Sequence, residues 1–328
     1  MKIDVHAHYF PERFIERQDG SSTGYGIMVT GAGGHTVYNV PPRSSASDAD
    51  RVSNIGRRLQ EMDEQGVDLH MLSVLPTMLN YDIDPSKMGE VCRLTNDAFA
   101  ETVAANPKRL QALAFLPMQQ PEDAAKELER CVKGMGFRGA MIYSNINGTN
   151  LDDNGFAPFY KMVQNLDVPV FIHPRDVLGQ DRLSSYHLGN LIGNPTDTAA
   201  AAASLIFGGV LKEMPRLKFY LAHGGGTCPL LRGRWEHGWS VRPEAKVHIQ
   251  RPPSEYFRLL YFDSLTHSIP ALQYLVQTVG AERVMLGSDY PADMADAQPA
   301  KRIGDLPDVT DREKELMYGG NAEALFKL

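Results

Sequence analysis

The chain has 328 residues, 43% of them hydrophobic and 22% charged, an ordinary composition for a globular protein with a large core. Its 33 basic and 40 acidic residues leave a net charge of −7, which argues against nucleic acid or an anionic membrane as its main partner. Three scattered cysteines without a C-x-x-C pair exclude a disulfide framework and a cysteine zinc finger, and fit a reducing compartment. The opening MKIDVHAH places histidines where a secretory signal needs an apolar run. The Ala-rich run 198–211 is well short of the ~20 residues of a membrane span. A cytoplasmic protein is therefore expected.

Short β-rich runs recur along the chain at 2–5, 69–75, 110–115, 137–142, 170–172, 217–221, 260–262 and 284–286. Longer stretches with helical periodicity lie between them, among them 49–65 and 89–105, where Val91, Leu94, Thr95, Ala98 and Val103 mark an apolar face. Pro121 followed by Glu122 and Asp123 suits a first helical turn, and Gly134 suits the end of that helix. Eight such alternations predict a single α/β domain over 1–328, a (β/α)8 TIM barrel with its helices outside. The segment 18–48 breaks the rhythm. It is rich in Gly, Pro, Ser and Thr, with short strands expected at 25–30 and 35–40. It reads as a β-flap or lid inserted after strand one, with a plain surface loop as the alternative.

Alternate side chains of a strand point the same way, so His6 and His8 share one side of the first strand, near the barrel end where active sites are built. Three further apolar strands end in a polar group: Val-Phe-Ile-His173, Leu-Ala-His223 and Met-Leu-Gly-Ser-Asp289. Each is a poor packing choice if buried without a partner, and together they point to one shared polar site. This mixture of nitrogen and oxygen donors suits zinc, with manganese, cobalt and iron also compatible. No lysine stands at a strand end where it could bridge a second metal. Cys228 follows His223 by five residues without an activating partner, which disfavours a thiol nucleophile. There is no P-loop, no G-x-G-x-x-G after a strand and no H-E-x-x-H. Of the remaining histidines, His187 is a candidate pocket residue. His35, His70, His237, His248 and His267 are read as surface or satisfied polar residues.

Six segments together resemble the amidohydrolase superfamily, and within it the branch of 2-amino-3-carboxymuconate-6-semialdehyde decarboxylase. They are IDVHAHYFP (3–11), EMDEQGVD (61–68), FIHP (171–174), HGGG (223–226), RPPSEY (251–256) and RVMLGSDYP (283–291). The resemblance implies one metal held by His6, His8, His173 and Asp289. It implies that His223 is the acid/base beside the water on that metal, with Asp289 contacting both. Gly224–Gly226 lets a substrate approach the backbone or simply makes a tight turn. Arg234 matches a family arginine that reaches a substrate carboxylate across a dimer interface; a surface arginine on an exposed helix is the alternative. Trp235 and Trp239 share a helix face and are read as packing or dimer interface. Two departures concern the substrate. The family's flap arginine aligns with Arg43 only across a gap, and the usual His-Pro-Trp-Asp is His173-Pro174-Arg175-Asp176 here. Arg175 either binds an acidic substrate group or pairs with Asp176.

On that resemblance the expected activity is non-oxidative decarboxylation of a small unsaturated or aromatic carboxylic acid by a homodimer or higher homo-oligomer. The alternative is a hydrolase or hydratase using the same site. A barrel that has lost catalysis and serves only for binding is disfavoured by the intact ligand set.

Overall fold

Eight parallel strands form the centre of the chain among the residues described in a computed structural model, which are 1–11, 25–31, 34–40, 46–76 and 81–328, with backbone alone for 25–31, 34–40 and 46–49. The strands are β1 (Ile3–Tyr9), β2 (Leu69–Val74), β3 (Leu110–Ala112 and Ala114–Phe115, interrupted at Leu113), β4 (Ala140–Tyr143), β5 (Pro169–His173), β6 (Lys218–Leu221), β7 (Tyr261–Asp263) and β8 (Val284–Met285). Pairing runs in chain order from β1 to β8. The ring closes where Val5 N donates to Leu286 O at 3.0 Å and Asp289 N donates to His6 O at 2.8 Å. The architecture is a (β/α)8 barrel. Both faces of its strands are covered, which explains continuous apolar runs such as residues 169–172 of the wholly buried β5.

The helices begin and end where the sequence supplies the chemistry. Asn54 caps the helix Ile55–Gln65 by accepting from Arg57 N, and Gly66 ends it in the left-handed conformation. Asn54 also divides the expected helix 49–65 in two, because a side chain that caps one helix ends the previous one at Ala46–Ser53. Pro85 and Pro121 open the helices Pro85–Ala105 and Pro121–Glu129.

Tyr25–Gly31 and Gly34–Val40 pair antiparallel as a hairpin inserted after β1, near the two short strands expected there. None of the helices among the described residues is long and apolar enough to cross a membrane.

One irregularity positions the site. The register of β1 on β2 slips by one residue between Asp4 and Ala7, a bulge beside His6. The freed His6 N–H donates to Asp4 Oδ1 at 2.9 Å.

Candidate metal centre

β1 extends through the histidines to Tyr9 rather than stopping at Val5, so His6 and His8 lie within the strand and project to one side of it. Their Nε2 atoms face each other at 3.1 Å. Both sit beside Asp289 Oδ1, at 3.2 Å for His6 and 3.0 Å for His8. His173, the last residue of β5, closes the group with ring centroids 5.3 Å from His6 and 4.9 Å from His8. The potential ligand atoms of His6, His8, His173 and Asp289 all lie within 4.8 Å of one another, and all four residues are buried.

The ring nitrogens facing away are already engaged. His6 Nδ1 is 2.6 Å from Asp263 Oδ2, His8 Nδ1 is 3.1 Å from Val74 O, and His173 Nδ1 is 3.0 Å from Pro174 O. Protons on those nitrogens leave the inward Nε2 atoms as lone pairs pointing at one another, an arrangement that a cation stabilises. His173 Nε2 is buried with no hydrogen-bond partner among the described residues. A neutral, inward-facing donor without a partner fits a metal ligand and is otherwise costly.

The electrostatics agree. Burial holds His8 down to about 4 and, with its histidine neighbours, holds His173 well below the usual imidazole range. Burial opposes the charged forms of Asp289 and His6 as well. The adjacent imidazoles nevertheless hold Asp289 well below the carboxylate range, and the Asp289 and Asp263 carboxylates push His6 up to about 10. The pocket thus favours positive charge at its centre, which a bound divalent cation would supply in place of the extra proton on His6.

His223 sits at the rim, about one-fifth exposed, with Nε2 3.6 Å from Asp289 Oδ2. Its Nδ1 is buried without a hydrogen-bond partner among the described residues. The residue has φ 56° and opens a left-handed turn through Gly224, Gly225 and Gly226. A Cβ on Gly225 would stand 2.6 Å from the Phe262 ring, and one on Gly226 would stand 2.1 Å from Pro195 O. The glycines therefore admit the chain's own atoms, which accounts for them as a tight strand-to-helix turn.

Several site residues escape the sequence reading. Asp263 is wholly buried and touches both His6 and the His223 turn. The signal that marks Asp289, a carboxylate ending an apolar strand, also marks Asp263, but the expected strand stopped one residue earlier. Asp4 accepts from Ser288 N at 3.1 Å and from Ser288 Oγ, tying the β1 bulge to the loop that carries Asp289; burial pushes it up to about 6. Arg58 is fully buried, stacked 4.5 Å from the Tyr290 ring centroid, and donates to His8 O and to His70 Nδ1. His70 is buried beneath the site, with Nε2 3.6 Å from Asp4.

The arginines are less uniform. Arg175 is partly buried, its Nε 3.7 Å from Asp176 Oδ1 and without a hydrogen-bond partner among the described residues. Arg234 lies exposed on the helix Cys228–Val241. Trp235 on the same helix packs within the chain, 6.0 Å from Phe207 and 6.1 Å from Phe257 between ring centroids. Arg43 and the side chain of His35 lie outside the described residues. His187 is exposed. Cys228 is buried and its thiol is pushed up by burial, away from nucleophilic character.

Known proteins share this arrangement of chain. The 2-amino-3-carboxymuconate-6-semialdehyde decarboxylase of Dictyostelium discoideum is 35% identical over 337 residues, covering 98% of this chain and 90% of the relative. The crystal structure of 5-carboxyvanillate decarboxylase LigW from Sphingomonas paucimobilis superposes with a TM-score of 0.84 at 28% identity, covering 100% of this chain and 99% of that one. A dihydroxybenzoic acid decarboxylase from Polaromonas sp. JS666, with bound manganese and the inhibitor 2-nitroresorcinol, gives 0.82 at 29% identity, covering 100% and 97%. Residues 3–328 match the Amidohydrolase family, and with nearly its whole length accounted for the chain belongs to that family.

Proposed function

We propose that this protein is a metal-dependent, non-oxidative decarboxylase of a small aromatic or unsaturated carboxylic acid. The observation that carries the reading is the convergence of three imidazoles and one carboxylate within 4.8 Å, with His223 at the open side. The relatives' names support the reaction type. His6, His8, His173 and Asp289 would hold a single divalent cation. The donor set favours zinc, and the manganese in the Polaromonas enzyme makes that ion the first alternative. Such a cation polarises substrate oxygen atoms and stabilises negative charge that develops on them.

The protein's own groups would do the rest. His223 donates a proton to the carbon that bears the carboxylate. The bond from that carbon to the carboxylate then breaks, its electron pair restores the unsaturation, and carbon dioxide leaves. Asp289, held ionised, offsets the positive charge of the cation and of a protonated His223 nearby. Arg175, with an unused N–H, is a fork for a substrate acid group. The hairpin after β1 would act as a flap over the barrel mouth and bring Arg43 towards the substrate. Arg234 would complete the site of a second subunit in a homodimer. The exposed apolar side chains Leu191, Ile192 and Leu230 support that pairing, because the segments carrying them meet where Thr227 N donates to Pro195 O. The whole chain would form one domain, and its cysteine usage favours the cytoplasm.

Assaying carbon dioxide release from a panel of hydroxybenzoates and unsaturated diacids, beside ester opening and alkene hydration, tests the reading. Carbon dioxide as the product of the best substrate is expected. Turnover confined to hydrolysis or hydration would replace decarboxylation by the alternative chemistry of the same site.

A further inference from the structure

Asp263 ends β7 with a side chain that is 0% exposed, and four N–H groups converge on it. Oδ2 accepts from His6 Nδ1 at 2.6 Å and from the His223 backbone N–H at 2.9 Å. Oδ1 accepts from Gly224 N at 2.7 Å and from Leu265 N at 3.0 Å. Gly287 permits this seating, since a Cβ there would stand 2.7 Å from Asp263 Cβ. One carboxylate therefore holds both the ring of a ligand histidine and the left-handed turn that begins at His223.

We infer that Asp263 is a positioning residue that couples the metal site to the acid/base: it fixes the tautomer and tilt of His6 and, with the same oxygens, sets the position of His223. The inference rests on the metal and proton-transfer roles proposed above. A carboxylate suits the task because both its oxygens accept only. Asparagine must turn its NH2 towards one pair of donors, either His6 Nδ1 and His223 N or Gly224 N and Leu265 N, so it cannot satisfy all four. Orientation of a metal histidine by an outer carboxylate typically changes metal affinity by roughly 10- to 100-fold. Displacing a catalytic group by about 1 Å costs on the order of 100-fold in rate.

The test is Asp263→Asn beside wild type, titrated with Mn2+ and followed by electron paramagnetic resonance, with kcat measured at saturating metal. Mn2+ affinity is expected to fall by roughly 10- to 100-fold. At saturation kcat should remain at least about tenfold low with KM little changed, since His223 is still misplaced. Unchanged affinity overturns the His6 half of the inference, and unchanged kcat at saturation overturns the His223 half. Wild type that binds no metal fails the functional reading itself. If Asp263→Asn does not fold, 15N-histidine spectra of Zn2+-loaded wild type decide. A strongly downfield, slowly exchanging proton on His6 Nδ1, held by Asp263, is expected, and a freely exchanging one without that shift overturns the inference.

Discussion

His8 Nε2 and Asp289 Oδ1 face each other at 3.0 Å across the seam where the last barrel strand returns to the first. The two residues are 281 positions apart in sequence, and ring closure alone brings them together: Asp289 N donates to His6 O and His8 N donates to Tyr290 O in the same ladder. Barrel closure thus places three of the four proposed ligands, His6, His8 and Asp289, beside one another.

His173 is the proposed ligand whose removal is cleanest to interpret. Among the described residues its Nε2 has no hydrogen-bond partner, and its Nδ1 lies 3.0 Å from the neighbouring carbonyl of Pro174. His173→Ala should lower bound metal well below one ion per chain and abolish turnover. Metal analysis of the purified protein checks this, and a full complement of metal would remove His173 from the ligand set.

His223 stands apart from the ligands, with its Nε2 beyond hydrogen-bonding distance of Asp289 at 3.6 Å. His223→Ala should keep its metal while kcat falls by roughly 10²–10⁴, the range for losing a general acid/base. Metal content and kcat measured on the same sample separate this outcome from loss of a ligand, in which both fall together.

Arg234 offers a test of the assembly. Two-fold pairing would complete each site with the other subunit's arginine, and losing such a contact costs ~2–5 kcal/mol. Arg234→Ala should therefore depress kcat/KM strongly with metal unchanged. Mixed with inactive His223→Ala, it should regain activity, because a mixed dimer has one site with an intact His223 and an intact Arg234. No recovery after demonstrated subunit exchange would place Arg234 outside its neighbour's site.

Much of this was legible in sequence because barrel strands end at the site. The period-two spacing of His6 and His8, and apolar runs that close on His173 and Asp289, mark groups that only a shared centre explains. The Amidohydrolase match bears out the resemblance read from the six segments. Asp263 was missed by one residue of strand length. Arg58, His70 and Asp4 were opaque for a deeper reason. Their partners lie on different elements, such as Arg58 against His8 O and His70 Nδ1, and nothing local distinguishes a buried arginine from a surface one. The break at Asn54 was likewise hidden, since its capping bond competes with a helical periodicity that runs through it.

The loop after Asp289 is anchored through Asp296. Asp296 N donates to Ser288 O, and its carboxylate pairs with Arg302 and accepts from Gln298 N. Burial alone would raise its pKa, but these partners hold the carboxyl below its ordinary 3.8. A depressed folded value means the contribution to stability is present above the unfolded value and is lost as pH falls through the folded one. Asp296→Asn should be less stable than wild type in urea at neutral pH, and the gap should narrow in acid. An equal gap at both pH values would show that this carboxyl adds no pH-dependent stability.

On the proposed function, a divalent cation held by His6, His8, His173 and Asp289 makes this chain a decarboxylase. The most direct test of this claim is carbon dioxide release from the best acid of the panel, measured on wild type stripped with a chelator and then reloaded with Zn2+ or Mn2+. Release should vanish with the metal and return in proportion to the metal bound, up to one ion per chain. Full carbon dioxide release from the metal-free protein would contradict it.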